Sequence, residues 1–136
     1  MIEPRRIADI ASYHAHVYFE GAAQAERARW LRERIAERFP VRMGTWWERP
    51  VGPHDRSMYQ VAFETTLFAE FVPWLMLNHG DLSILIHPNT NNQRRDHLAD
   101  SLWLGTALPL DEAALPDEET EPEGVGDINT RPNITP

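Results

Sequence analysis

The sequence Tyr13-His14-Ala15-His16-Val17-Tyr18-Phe19 alternates between two kinds of side chain near the start of the chain. Strand side chains point to opposite faces with a period of two, so this stretch predicts a strand with an apolar row and a histidine-bearing row. His14 and His16 lie one strand repeat apart, roughly 6 to 7 Å between Cα atoms. From there both imidazoles can reach one metal ion at about 2.0–2.1 Å. The alternative is a strand whose solvent face happens to carry histidines.

The rest of the chain alternates between helical and extended patterns. Apolar residues recur at helical spacing in 21–39 and in 65–79, and a short last helix is predicted from Asp96 through Trp103. Further strands are predicted at 41–48, 57–64 and 82–87. The order β-α-β-β-α-β is that of ferredoxin-like folds. We therefore expect an α+β sandwich: an antiparallel sheet of order 4-1-3-2 with two helices on one face.

The composition of the chain changes after Leu110. Residues 1–110 form the predicted domain, and residues 111–136, here called the tail, are rich in Pro, Glu and Asp. The tail holds eight acidic residues and one arginine, so most of the net charge of −8 lies there. Such a segment cannot bury enough apolar surface to fold alone. We expect little regular structure in the tail, and a chain ending at Leu110 that still folds and keeps its metal.

Composition also excludes several classes of function. The chain has no cysteine and no lysine, which excludes disulfides, thiolate metal sites and Schiff-base chemistry on a lysine. No basic face with interleaved aromatic residues is present, so we expect no nucleic-acid partner. No apolar run approaches the roughly 18 residues of a membrane span, and the N-terminus lacks the apolar core of a signal peptide. The expectation is a cytoplasmic protein without a membrane partner.

The predicted topology brings possible metal ligands to one end of the sheet. Strand one runs antiparallel to strands three and four, so its start lies beside their ends. His14 and His16 are at that start, Glu64 ends the third strand and His87 ends the fourth. Histidines and a carboxylate suit non-haem Fe(II), and neutral imidazole also suits zinc. The sequence thus predicts a site built from His14, His16, His87 and Glu64, the alternative being a solvated polar patch.

Four residues are candidates for binding substrate. Tyr18 and Trp103 could form an aromatic wall for a flat molecule, with core packing as the alternative. Arg94 and Arg95 could hold a substrate carboxylate bidentately, with a solvated loop as the alternative.

Two histidines outside the predicted ligand set are candidates for proton transfer. His54 lies in the loop between strands two and three, at the far end of the sheet from the ligands. To take part, it must come from a second subunit, or its loop must fold across the open face. His97 follows Asp96, but adjacent helix residues do not face each other, so that carboxylate is a poor orienting partner. We favour His54 as the proton-transfer residue and keep His97 as the second candidate.

An ordered set of short motifs resembles a known family. The motifs are His14-Ala15-His16-Val17-Tyr18-Phe19, Gly52-Pro53-His54, Trp74-Leu75-Met76-Leu77-Asn78, His87-Pro88-Asn89-Thr90, Asp96-His97 and Trp103-Leu104-Gly105. Together they resemble the small DOPA 4,5-dioxygenase family of aromatic ring-cleaving enzymes. The resemblance implies a ferredoxin-like fold and metal-dependent extradiol cleavage of a catechol such as DOPA. The substrate does not carry over with the resemblance. His79 stands where we would expect arginine and Asp55 where we would expect proline, and these departures bear on substrate choice more than on metal binding.

The expectation from sequence is therefore an Fe(II)-dependent dioxygenase whose partners are a small aromatic substrate and O₂. The rival is a non-catalytic or zinc-bound small-molecule binder on the same scaffold. An uncovered sheet face would expose an apolar patch of unusual size, so we also expect a homodimer.

Overall fold

A five-stranded antiparallel sheet forms the centre of the structure, a computed structural model that describes residues 2–128. Its strands are β1 (Ser12–Phe19), β2 (Arg42–Met43), β3 (Ser57–Phe63), β4 (Ser83–Asn89) and β5 (Leu102–Leu104). The helices are α1 (Gly21–Arg38), α2 (Phe68–Asn78) and α3 (Gln93–Leu98), with 3-10 turns at Ile7–Asp9, Thr65–Leu67 and Glu112–Ala114. The sheet order β2-β3-β1-β4-β5 contains the predicted order 4-1-3-2 and adds β5 beside β4. The predicted fold class is confirmed.

The alternation along β1 separates the two faces of the sheet. Its apolar row, with Ala15 and Val17, is fully buried against α1 and α2 in the main hydrophobic core. Tyr59 of β3 lies in the same core, and its buried hydroxyl donates to the carbonyl of Ala28 in α1 (3.0 Å). Both long helices therefore cover one face, and the histidine row of β1 is left on the other.

The second predicted strand, 41–48, is wrong in length. Only Arg42–Met43 pairs regularly with β3, and a single bridge joins Trp47 to Met58. The break follows from Gly44, whose backbone approaches Gln60 so closely that a Cβ would lie 2.9 Å from the Gln60 carbonyl oxygen. A regular ladder with side chains on both strands does not fit at that distance.

The predicted last helix is also corrected. Asn92, not Asp96, caps α3 by accepting from the Arg95 amide (3.0 Å), and the helix ends at Leu98. The Ser101 hydroxyl donates to the His97 carbonyl (2.7 Å), which ties back the chain after the helix. Trp103 consequently lies in β5, paired with Leu85 of β4. The spacing of Leu98 and Leu102 therefore wrongly predicted a helix that continues to Trp103.

The described part of the tail packs against the domain, although its only regular structure is one 3-10 turn in residues 111–128. Leu115 and Val125 are 3% and 7% exposed, and the Thr120 amide donates to the Asn91 carbonyl (2.7 Å). The described part of the tail thus docks on the domain through these apolar anchors and backbone bonds. Residues 129–136 of the predicted tail lie outside the described residues.

Removing the tail is expected to lower the melting temperature by several degrees. A chain ending at Leu110 loses the burial of Leu115 and Val125, and burying one such side chain stabilises by about 1.5–3 kcal/mol. Thermal unfolding followed by circular dichroism measures the change. A chain ending at Ile128 keeps these contacts and is the control. Equal melting temperatures for the two chains would show that the docking adds no stability.

Candidate metal centre

The sheet register places two histidines directly opposite each other. His14 of β1 pairs with His87 of β4, and His16 pairs with Leu85 two positions along. All three imidazoles are on the face away from α1 and α2, because each alternates with a core residue of its strand. β4 is buried along its whole length, as its apolar sequence predicts, and continues through Pro88 to Asn89, where a strand end had been expected at Pro88.

Three ring nitrogens come together at this point. One nitrogen from each of His14, His16 and His87 lies within 4.8 Å of the others, and this is the group in the described chain with the spacing of a metal site. Nε2 of His16 and Nε2 of His87 are 3.1 Å apart. Two ligands at about 2.0–2.1 Å from one ion have such a separation when they subtend roughly a right angle. These residues, here called the histidine triad, fit a divalent metal ion.

Burial and hydrogen bonds also suit the triad to a metal. His14, His16 and His87 are 5%, 2% and 1% exposed. The Nδ1–H of His87 donates to the Pro88 carbonyl (2.9 Å), which leaves Nε2 as the unprotonated nitrogen of a neutral ring. Nε2 of His14 is buried without a hydrogen-bond partner among the residues that the structure describes. A buried polar atom of this kind costs stability unless something else binds it, and a metal ion is such a partner.

The triad is neutral at neutral pH. Burial is the main cause, with repulsion from neighbouring histidines second: together they lower the pKa of His14 to about 4 and hold the pKa values of His16 and His87 well below the usual 6.5. A metal binds the unprotonated imidazole, so the ligands need lose no proton when the ion arrives.

These shifts make the metal-free protein sensitive to acid. The folded-state pKa values of His14 and His54 are lowered to about 4, below the ordinary 6.5, so the unfolded chain binds more protons between these values. The free energy of unfolding therefore falls as the pH drops from about 6.5 towards 4. Above pH 6.5 these histidines do not make the free energy of unfolding depend on pH. Urea unfolding at pH 7, 6 and 5 measures this. A His14→Asn variant should show a shallower dependence, and a midpoint unchanged with pH would contradict the prediction.

His54 joins the triad within the same chain. Its loop folds across the face of the sheet, held by a bridge to Leu110, and its ring centroid lies 4.2 Å from that of His16. Its Nδ1 is 2.6 Å from the hydroxyl of Tyr18. Burial raises the pKa of Tyr18, so the phenol stays protonated and can donate to Nδ1. Of the two routes considered from sequence, the loop crosses the face and no second subunit is required.

His97 reaches the triad from α3. Its ring centroid is 3.9 Å from that of His87 and 6.3 Å from that of His54. Its Nδ1–H donates to the Gln93 carbonyl (2.7 Å), and burial lowers its pKa. The neighbouring Asp96 is buried and accepts instead from the Thr90 amide and hydroxyl, so it does not orient His97.

The aromatic candidates lie beside the histidines. Tyr18 is buried, and its ring stacks on that of Trp103 at 5.6 Å between centroids. Both belong to a small apolar cluster on the histidine face with Met58 and Leu85. Their use in substrate binding stays a prediction, but the structure brings them to the site.

The two arginine candidates are engaged elsewhere. Arg94 donates to the carbonyls of Glu112 and Leu115 in the tail (3.2 and 3.4 Å), and Arg95 donates to the Asn91 side chain (3.1 Å). Among the described residues, neither guanidinium forms a hydrogen bond with a histidine of the triad. Their role in holding a substrate carboxylate stays a prediction.

The structure does not bring Glu64 to the triad. Glu64 follows the last residue of β3, is exposed, and precedes the 3-10 turn at Thr65–Leu67, so the chain leaves the sheet where a ligand was expected. The carboxylate near the triad comes from the tail: Glu123 Oε1 lies 3.8 Å from Nε2 of His14. Sequence reasoning missed Glu123 because the tail has no periodic pattern that fixes its path.

The family of the chain follows from comparison of its sequence with family profiles. Residues 13–114 match the profile of the Dopa 4,5-dioxygenase family. The chain belongs to the Dopa 4,5-dioxygenase family. The match contains all five histidines of the site and ends before Glu123. The resemblance inferred from the short motifs is confirmed.

Two fungal relatives and one solved structure are similar to this family member. An uncharacterised 21.2 kDa protein of Botryotinia fuckeliana is 40% identical, covering 74% of this chain and 61% of that protein. The DOPA 4,5-dioxygenase of Amanita muscaria is 32% identical, covering 83% and 53%. A candidate dioxygenase of Nostoc punctiforme, known from a crystal structure, is 47% identical with a TM-score of 0.80, covering 82% and 96%. The chain thus spans little more than half of the two fungal proteins.

Proposed function

We propose that this protein is a metal-dependent extradiol dioxygenase that cleaves a catechol, DOPA or a related aromatic. The observation that carries the proposal is the buried histidine triad, three neutral imidazoles with nitrogens within 4.8 Å, in a chain of the Dopa 4,5-dioxygenase family. Fe(II) is the proposed metal, since imidazole with open positions suits non-haem iron. Zinc or another divalent metal in the purified protein would reflect the affinity of the same ligands.

The metal would serve as a template and Lewis acid for the catechol and O₂. Around it, the chain offers groups for the other tasks of ring cleavage. Tyr18 and Trp103 present a stacked aromatic pair next to the triad, which suits a flat ring. His54 and His97 lie beside the triad, and both imidazoles are neutral at neutral pH because burial lowers the pKa of each. The site therefore holds acceptors for the protons that a catechol must lose.

The remaining partner predictions are also part of the proposal. No helix within residues 2–128 is long and apolar enough to cross a membrane. A cytoplasmic location and a homodimer stay predictions. The dimer was expected because of an uncovered sheet face, yet Tyr18, Met58 and Leu85 on that face are buried within one chain. Light scattering measures the mass in solution and decides between monomer and dimer.

The activity is tested by loading metal-free protein with Fe(II) under nitrogen and then adding air and single catechols. We expect O₂ consumption and a yellow ring-opened semialdehyde that carries both atoms of one O₂ molecule. Mass spectrometry of the product after reaction under ¹⁸O₂ identifies the cleavage. Iron-loaded protein that consumes no O₂ with any catechol of the panel would contradict the proposal. Product formed equally by the same Fe(II) without protein would also contradict it.

A further inference from the structure

The described part of the tail carries a carboxylate to the mouth of the histidine triad. Oε1 of Glu123 lies 3.8 Å from Nε2 of His14, and the Glu123 side chain is 63% exposed while that of His14 is buried. The carboxylate is thus at the boundary between the buried imidazoles and solvent.

Glu123 is held there by bonds of its own backbone and of its neighbours. The Ser12 hydroxyl donates to the Glu123 carbonyl, and Ser12 in turn accepts from the Asn89 side chain (2.9 Å). Ser12 and Asn89 are both buried and flank the triad residues on β1 and β4. Two residues further on, Val125 is buried and its carbonyl accepts from Arg42 (3.2 Å). Backbone hydrogen bonds and the burial of Val125 therefore fix the position of Glu123, without a contribution from its own side chain.

Within residues 2–128, no hydrogen bond satisfies the nitrogen that Glu123 faces. Nε2 of His14 is buried with no hydrogen-bond partner, and 3.8 Å is too long for a hydrogen bond. Two atoms 3.8 Å apart are, however, within reach of one ion that binds each at about 2.0–2.2 Å.

The charge of the site also favours a carboxylate as a further ligand of the ion. Three neutral imidazoles leave the whole charge of a divalent ion uncompensated in a buried place, which is costly. One carboxylate halves that charge, and histidine combined with carboxylate is the donor set of non-haem Fe(II) sites.

We propose that Glu123 is a fourth ligand of the metal held by His14, His16 and His87. This inference rests on the proposed function, because it requires that the triad binds a metal. Glu123 lies beyond residue 114, so this ligand comes from a segment outside the residues that match the family profile. Metal binding and docking of the tail are then linked: the ion stabilises the docked tail, and the docked tail raises the affinity for the ion by the same factor.

The test compares Glu123→Gln with Glu121→Gln in the full chain. Both changes remove one negative charge from the same exposed stretch of the tail, but only Glu123 lies beside His14. Zn²⁺ affinity is measured by competition with a chromophoric chelator, with Co²⁺ absorption as a report on the ligand set. We expect Glu123→Gln to bind Zn²⁺ at least about tenfold more weakly and to change the Co²⁺ spectrum, since losing even an outer partner costs about 10–100-fold. Glu121→Gln should match the wild type.

Hydrogen exchange gives a second readout that does not depend on activity. Adding Zn²⁺ should slow exchange of the amides around Thr120 to Val125 in the wild type and in Glu121→Gln, but not in Glu123→Gln. Wild-type affinity and exchange in Glu123→Gln would overturn the inference and leave the proposed function standing. A wild-type protein that binds no Zn²⁺, Co²⁺ or Fe²⁺ would overturn both.

Discussion

Purified His16→Ala and His87→Ala proteins are expected to contain no bound metal. Their Nε2 atoms are 3.1 Å apart, and both imidazoles are buried. Removing either imidazole leaves the ion with fewer donors in a place where buried charge is costly. Elemental analysis of protein purified without chelator measures the metal content per chain.

His79→Ala is the matched control for these two variants. His79 is the one histidine of the chain outside the site, and its ring Nδ1–H donates to the Leu82 carbonyl (3.0 Å) near the end of α2. This variant loses an imidazole but no proposed ligand, so it should keep the wild-type metal content. Circular dichroism establishes that all three variants are folded. Full metal content in folded His16→Ala and His87→Ala would show that the triad is not the metal site.

The histidine triad was predictable because it depends on short-range pattern and topology alone. Alternation puts His14 and His16 on one face of β1, and the antiparallel order of the sheet puts the end of β4 beside the start of β1. The observed pairing of His14 with His87 follows from those two facts. Because side chains of a strand alternate between the two faces of the sheet, the fold class leaves few possible placements for these histidines.

The parts that were not predicted depend on segments without a period. The tail has no alternation that could show where Glu123 lies, and its position depends on backbone bonds to Ser12 and on the burial of Val125. Glu64 was placed by extending the alternation of β3 one residue too far, although the strand ends at Phe63. A carboxylate near the triad was expected, but the structure supplies it from a different segment of the chain.

Replacing His54 with alanine is expected to leave the metal in place and to remove most of the turnover. His54 lies next to the triad without being one of its three ligands, and its ring centroid is 4.2 Å from that of His16. Burial lowers its pKa to about 4, so the imidazole is neutral at neutral pH. The loss expected for a general acid or base is roughly 10²–10⁴-fold in turnover. Elemental analysis and oxygen consumption with the best catechol measure the two properties separately.

The comparison of His54 with His97 decides which histidine moves the proton. Backbone hydrogen bonds hold the loop at His54. The His54 amide donates to the Val51 carbonyl (3.1 Å), and the Asp111 amide donates to the Pro53 carbonyl (2.7 Å). Nδ1 of His54 is 2.6 Å from the Tyr18 hydroxyl, so a hydrogen-bonded partner orients the ring. His97 binds a carbonyl of its own helix and lacks such a side-chain partner in the described contacts, so His97→Ala should cost less turnover. If His97→Ala loses the turnover and His54→Ala keeps it, with metal retained in both, the roles are reversed and the loop carrying His54 only covers the site.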